Sequence, residues 1–124
     1  MSDKYFIELR QSLKKRAWQQ ALLITEKLLL KNQLASNLHL LKGNLLQLQE
    51  DEDIELKQVE KAYKWALKLD PQYLEAWLEL YHFYDVVIEN KAQKLKCKKT
   101  IKALIKKILA ELDYVSPKGE KSLR

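Results

Sequence analysis

The 124-residue chain has few of the residues that build tight turns, disulfides or membrane spans. It contains only two glycines and two prolines, too few for the turns of a many-stranded sheet. Its one cysteine, Cys97, cannot form an internal disulfide, and no apolar run approaches the roughly 20 residues that cross a bilayer. The first residues also lack the apolar stretch of a secretory signal. These absences predict a soluble helical protein in the reducing cytoplasm.

The residues that are present suit a single all-α domain with an uneven distribution of charge. Hydrophobic residues make up 47% of the chain and charged residues 32%, so there are enough apolar side chains to bury a core. Residues 1–90 hold 12 Lys and Arg against 14 Asp and Glu, whereas residues 91–124 hold 11 against 3. The carboxyl-terminal end is therefore strongly basic, which raises nucleic acid, an anionic membrane or an acidic protein as partners.

Apolar residues recur every three or four positions through most of the chain, the spacing of helices that are buried along one side. This periodicity predicts six helices, at about residues 5–13, 17–31, 38–48, 54–69, 74–88 and 101–112. The segment 89–99 is polar and rich in lysine, and it fits an extension of the fifth helix, the start of the sixth, or a connection between them. Residues 116–124 are expected to form a flexible basic tail.

The predicted helices repeat with a period of about 34 residues, which is the sign of an α-solenoid. Leu9 and Gly43 occupy matching places 34 residues apart, whereas Ala21 and Val59 lie 38 residues apart. The four additional residues fit an insertion at the acidic turn of residues 50–53. We therefore expect one domain over residues 1–115, divided into three helix pairs at about residues 2–35, 36–73 and 74–113.

The segment AYKWALKLDPQYLEAWLELYHFY joins two helices through residues 69–71 and places Trp77 and Tyr84 after the turn. The segments WQQALLITEKLLL and LLKGNLLQL carry the small residues Ala21 and Gly43 where neighbouring helices would approach closely. In these features the sequence resembles the tetratricopeptide repeat family. The resemblance implies a right-handed α-α superhelix of about six helices in three antiparallel pairs. It also implies a non-catalytic adaptor, assembly factor or chaperone-like protein that binds another protein.

The inventory of catalytic residue types is short, which predicts that the protein is not an enzyme and needs no cofactor. His39, His82 and Cys97 are its only histidine and cysteine residues. Two imidazoles without a third ligand make a poor zinc site, so no metal is expected. The lysines around Cys97 would favour a reactive thiolate if that side chain were exposed, and an unreactive reduced thiol is the alternative that we favour.

The concave face of the expected superhelix would be lined by the first helix of each pair. The helical phase assigns eight residues to this groove: Phe6, Arg10, Asn37, Leu40, Asn44, Glu75, Leu78 and His82. Their mixture of apolar, amide and charged side chains suits an extended or helical peptide of a partner protein, whose backbone the asparagines would hold. Occupation of the groove by the carboxyl-terminal part of the chain itself is the alternative.

Lysines cover the outer side of the sixth helix and the segment before it. This basic surface consists of Lys91, Lys94, Lys98, Lys99, Lys102, Lys106 and Lys107. One hypothesis is a structural cap, whose lysines keep the terminal helix in solution. The others are contact of residues 91–107 with nucleic-acid phosphates, and docking on an anionic membrane or an acidic protein.

Trp65 is the predicted interface anchor on the second helices. Its helical phase places it beside Lys61 and Lys68 and away from the stripe of Val59 and Ala66, so we expect part of the indole to be exposed. Exposed indoles often anchor protein interfaces, and a homodimer built on Trp65 is one form of this hypothesis. Packing of the indole against the acidic turn or the sixth helix is the alternative.

Overall fold

The protein is built from α-helices, as the sequence predicts. The computed structural model describes residues 2–49 and 55–123, with side chains described over 4–49 and 55–113. Over these residues the elements are α1 (Ser2–Lys14), α2 (Trp18–Lys31), α3 (Ser36–Gln47), α4 (Leu56–Leu69), α5 (Leu74–His82), a π-helical turn (Phe83–Val87) and α6 (Lys91–Leu123). No β-strand occurs in the described ranges. The acidic turn predicted at residues 50–53, and Ile54 at the predicted start of the fourth helix, lie outside them.

The chain divides into two compact units, Met1–Ala76 and Trp77–Arg124, with the boundary inside α5. In the first unit α1 packs on α2, α2 on α3 and α3 on α4. Each helix contributes an apolar stripe to the core, and the most deeply buried side chains of the unit include Ala21, Leu28, Leu45, Val59 and Tyr63. From α1 to α4, each helix therefore packs against the next helix in the sequence. The single domain over residues 1–115 and its division into three repeats stay predictions.

Gly43 lies where α3 packs closely against α4. A β-carbon built on Gly43 would be 2.5 Å from Cε1 and 2.7 Å from Cδ1 of Tyr63. The Tyr63 side chain is fully buried; its hydroxyl donates to Asn44 Oδ1 at 2.7 Å and accepts from Gln47 Nε2 at 2.5 Å. The missing side chain at residue 43 thus makes room for the aromatic ring. The close approach that the sequence predicts at Gly43 is confirmed.

Two helix ends place a residue other than glycine in the left-handed region of backbone space. Arg16, with φ of 57°, follows α1, and the next amide, that of Ala17, donates to the Ser12 carbonyl oxygen at 2.9 Å. Glu89, with φ of 48°, follows the π-helical turn in the same way. Asn90 then begins the last helix as its N-cap, because its Oδ1 accepts a hydrogen bond from the Gln93 amide at 3.1 Å.

The helices of the second unit differ from the predicted ones in three places. The α-helix predicted to residue 88 ends at His82, and in the wider π-helical turn the Ile88 amide donates to the Phe83 carbonyl oxygen at 3.1 Å. The undecided segment 89–99 is a short connection followed by helix from Lys91. The helix also continues to Leu123, past the start of the predicted tail. The flexibility of that tail stays a prediction.

The first turns of α6 pack against the π-helical turn. Cys97 and Ile101 are the buried residues of α6 among those whose side chains are described. Lys94 reaches back to Asp85, with 2.7 Å between Nζ and Oδ1, and its ammonium lies 5.9 Å from the centre of the Tyr81 ring. Along the described part of the chain, no helix is both long and apolar enough to cross a membrane.

Candidate functional site

An open hollow with charged side chains in its lining lies between α2, α3 and α4 of the first unit. It is an open cavity of about 480 Å³ lined by Glu26, His39, Lys42, Leu46, Gln58, Lys61, Ala62 and Trp65. Four of the lining residues lie on the same side of α4, because their spacings of three and four residues follow the helical period: Gln58, Lys61, Ala62 and Trp65. We call His39, Lys42, Lys61, Trp65 and Lys68 the Trp65 surface.

Trp65 is held at the edge of this cavity by two contacts. The His39 ring stacks on the indole with 6.0 Å between ring centres and 22° between planes. The Lys68 ammonium lies over the indole, 4.8 Å from its centre, within the range of a cation–π interaction. The indole is 40% exposed, so the partial exposure predicted from its helical phase is confirmed.

The His39 imidazole is itself fixed by the backbone that precedes its helix. Its Nε2 lies 2.9 Å from the carbonyl oxygen of Gln33, an acceptor that selects the ring form with a proton on Nε2. The ring is therefore oriented from one side by a hydrogen bond and from another by Trp65. The sequence suggests for His39 only the role of a metal ligand, whereas in the structure the ring stacks on Trp65 and helps to position the indole.

The lysines of the Trp65 surface form no salt bridge with another described residue. In the described ranges, Lys42 and Lys61 have no ion-pair partner, whereas Lys64 on the same helix pairs with Glu60 at 3.5 Å. Glu26 is the acidic residue in the cavity lining. Lysines with no salt bridge near an exposed aromatic ring create a local positive potential that attracts anionic groups.

Two shallower hollows continue this surface in both directions. One, of about 330 Å³, shares Lys61 and Trp65 and extends along α4 past Lys64 and Lys68. The other, of about 420 Å³, shares Glu26, His39 and Lys42 and extends along α2 past Leu23 and Leu30. Leu23 and Leu30 are 56% and 76% exposed. The surface therefore combines apolar, aromatic and basic side chains over three helices.

The residues predicted to line a concave groove have varied environments. Phe6, Arg10, Asn37 and Glu75 are exposed in the first unit, and Leu78 and His82 are exposed in the second. Leu40 is buried and serves the core, because only 5% of its surface is exposed. Asn44 is half-buried and already accepts the Tyr63 hydroxyl proton in a hydrogen bond. The three hollows described above are lined by other residues, and peptide binding by the groove residues stays a prediction.

The lysines of the predicted basic surface are exposed on α6, with one exception. Lys91, Lys98, Lys99, Lys102, Lys106 and Lys107 all face solvent. Lys94 is half-buried and hydrogen-bonded to Asp85, which raises the pKa of its ammonium group, with the negative charge of the same carboxylate adding to the shift. Lys94 is therefore a structural residue of the second unit, and the remaining six define the accessible cations.

Side chains that could bind a metal ion are not clustered in the part of the chain that the structure describes. Within residues 2–49 and 55–123, no three His, Cys, Asp or Glu side chains come close enough together to hold a metal ion. Cys97 is 2% exposed, whereas a reactive thiol has to be accessible to solvent. The absence of an enzymatic activity and of a cofactor stays a prediction.

In comparisons with known proteins, no family model and no curated protein matches the chain. The tetratricopeptide resemblance consequently rests on the residues quoted from the sequence.

Proposed function

We propose that the protein is a non-catalytic binding module, a tetratricopeptide-like right-handed solenoid of three helix pairs, that holds an acidic segment of another protein. Three observations support the solenoid. Consecutive helices pack in the first unit, the turn at Asp70 and Pro71 separates α4 from α5, and Gly43 admits the Tyr63 ring between α3 and α4. The reducing setting expected from the single cysteine makes the cytoplasm its proposed location.

The observation that carries the proposal is the partly exposed, positioned indole of Trp65 beside Lys42 and Lys61, which have no salt bridge to another described residue. Tryptophan is among the residues that most often dominate binding energy, because a large ring is buried at little cost in side-chain entropy. His39 and Lys68 hold the ring before any partner arrives, which lowers that cost further. Lys42 and Lys61 would attract carboxylates and steer the encounter.

A peptide fits this surface better than a nucleic acid does. A nucleobase would have to stack on an indole that already contacts His39 and Lys68. The exposed Leu23 and Leu30 continue the surface with aliphatic side chains, which suit apolar residues of a peptide rather than phosphates. The groove predicted on the first helices, which binds a peptide or helix, is a separate interface of the same proposed function.

The test selects ligands and then asks which residues they need. Peptides would be selected from a random display library on the wild-type protein, synthesised, and titrated by fluorescence anisotropy against Trp65→Ala and Lys61→Glu. We expect peptides enriched in Asp and Glu, and about a tenfold or larger loss of affinity in both variants. The matched controls Ile7→Ala and Lys4→Glu alter exposed residues of α1 and should bind as wild type does.

Three outcomes would contradict this proposal. Selected peptides that bind Trp65→Ala as tightly as wild type would remove the indole from the interface. A mass in light scattering that falls from dimer to monomer in Trp65→Ala, with no peptide selected, would assign Trp65 to a homodimer. Binding of single-stranded oligonucleotides that collapses between low and moderate salt and is lost in Lys102→Glu would favour the nucleic-acid alternative on α6. Circular dichroism confirms that each variant is folded.

A further inference from the structure

The apolar stripe of α6 continues beyond the part of the helix that packs against the π-helical turn. Cys97 and Ile101 are buried on that stripe. Further along, the exposed fractions are 41% for Ile105, 42% for Ile108, 54% for Leu109 and 57% for Leu112. Spacings of three and four residues keep these side chains on one side of the helix. Among the described residues of the second unit, no element covers this part of the stripe as the π-helical turn covers its beginning.

The rest of the circumference is basic. Each residue turns the helix by about 100°, so the apolar side chains from Leu104 to Leu112 fall within an arc of about 140°. The exposed Lys99, Lys102, Lys106 and Lys107 fall outside this arc. Residues 91–113 hold eight lysines against two acidic residues, Glu111 and Asp113. This is an amphipathic helix with a Leu and Ile face and a lysine face.

We propose that α6 binds the surface of an anionic lipid bilayer, lying in the plane of the interface with Ile105, Ile108, Leu109 and Leu112 inserted among the lipids. Transfer of the aliphatic side chains from water into the lipid is favourable in free energy. Lysines at the edge of the apolar face keep their ammonium groups among the lipid headgroups while their methylene chains contact apolar surface. No helix in the described ranges is apolar enough to cross a membrane, so the attachment is peripheral. The proposal is independent of peptide binding at the Trp65 surface.

Charge favours a lipid surface over a second copy of the chain. Pairing two α6 stripes would bring two helices with excess positive charge within about 10 Å of each other, a distance over which salt screens incompletely. Binding to an anionic bilayer instead becomes more favourable with every lysine near the surface, by about 1 kcal/mol of binding free energy for each one.

The distribution of the lysines also favours a lipid surface over one acidic helix. A partner helix packed on the stripe would reach only the lysines closest to it, such as Lys98, which lies on the same side of the helix, and Lys102 at its edge. The helix itself is about 10 Å across, and the field of a charged plane extends over a similar distance at physiological salt. A planar anionic surface therefore also attracts Lys106 and Lys107, which one partner helix would leave in solvent.

The test is cosedimentation of the whole protein with vesicles of phosphatidylcholine, alone or mixed with phosphatidylserine. We expect binding to the mixed vesicles that weakens as salt is raised, and little binding to phosphatidylcholine alone. The double variants Leu109→Ser with Leu112→Ser, and Lys102→Glu with Lys106→Glu, should each lower the partition constant at least tenfold. The matched controls Ile7→Ser and Lys4→Glu change exposed residues of α1 and should leave it unchanged.

Insertion is tested separately with a reporter on each face of α6. Leu109→Trp places an indole on the apolar face, and its contribution to the emission spectrum should shift to shorter wavelength with phosphatidylserine vesicles. Lys106→Trp places it on the basic face and should show no such shift. Absence of binding to the mixed vesicles at low salt would overturn the proposal. A mass in light scattering that falls in the Leu109→Ser, Leu112→Ser variant, without vesicle binding, would assign the stripe to self-association instead.

Discussion

The contact between Gly43 and Tyr63 gives the sharpest test of how α3 and α4 pack. Gly43→Ala would put a methyl carbon 2.5 Å from Tyr63 Cε1, whereas carbon atoms in contact lie about 3.5–4.0 Å apart. Tyr63 is fully buried and its hydroxyl is held by Asn44 and Gln47, so the ring cannot swing into solvent. Overpacking of this kind costs about 1–3 kcal/mol of the free energy of unfolding.

A second effect of the same substitution has the opposite sign. Alanine inside a helix is more favourable than glycine by about 1 kcal/mol. The two effects together leave an expected net loss of about 1 kcal/mol for Gly43→Ala, with a fall of a few degrees in Tm. A loss this small is informative only if the steric and helix-propensity contributions are separated.

A double-mutant cycle measured by urea unfolding separates them. In a Tyr63→Leu background the aromatic ring is gone, so Gly43→Ala should now stabilise the protein through helix propensity alone. The coupling energy between the two positions should then be about 1–3 kcal/mol. Tyr63→Phe is the matched control: it keeps the ring and loses the hydroxyl, and Gly43→Ala should still destabilise in that background. Gly43→Ala that stabilises the wild-type protein, with no coupling to residue 63, would refute the close packing of α3 on α4.

Two further predictions concern single titratable side chains. Because Cys97 is 2% exposed, a thiol reagent should modify the native protein far more slowly than the urea-unfolded chain, and equal rates would contradict its burial. Burial raises the pKa of Tyr73, and the carboxylates of Glu75 and Asp70 add to the shift. The native state thus holds this phenol proton more tightly than the unfolded state, so the stabilising contribution is complete below pH 10.0 and is lost as pH rises through the folded-state pKa. An NMR titration of the Tyr73 ring should have its midpoint above 10.0 and move down in Glu75→Gln; a midpoint at or below 10.0 would contradict this.

Half of the Trp65 surface could be predicted from one helix. The amphipathic pattern of α4 alone places Trp65, Lys61 and Lys68 away from the buried stripe, and the structure agrees. His39 and Lys42 are on α3, and no periodicity relates their phase to that of α4. Only the packing of the two helices brings the imidazole onto the indole, because the rotation and register of one helix against another depend on how the side chains interlock.

The sequence before α6 contains a signal for the start of a helix, yet it does not settle whether residues 89–99 extend the fifth helix, begin the sixth or connect the two. Asn90 followed three residues later by Gln93 is a typical helix start, and the Asn90 side chain does cap α6. Glu89 gives no such signal, because a residue other than glycine in the left-handed region is unfavourable by itself. The contacts of the surrounding turn, with the Asn90 amide donating to the Tyr84 carbonyl oxygen at 2.8 Å, stabilise that conformation.

By itself the sequence determined the helical class and most helix positions, since these follow from periodicity and turn chemistry. Only the tertiary structure decided which apolar faces are covered. The stripe from Ile101 to Leu112 is continuous in the sequence, yet in the structure Ile101 is buried and Leu112 is exposed. A periodic pattern indicates which side of a helix is apolar. Which element packs against that side depends on how the rest of the chain folds.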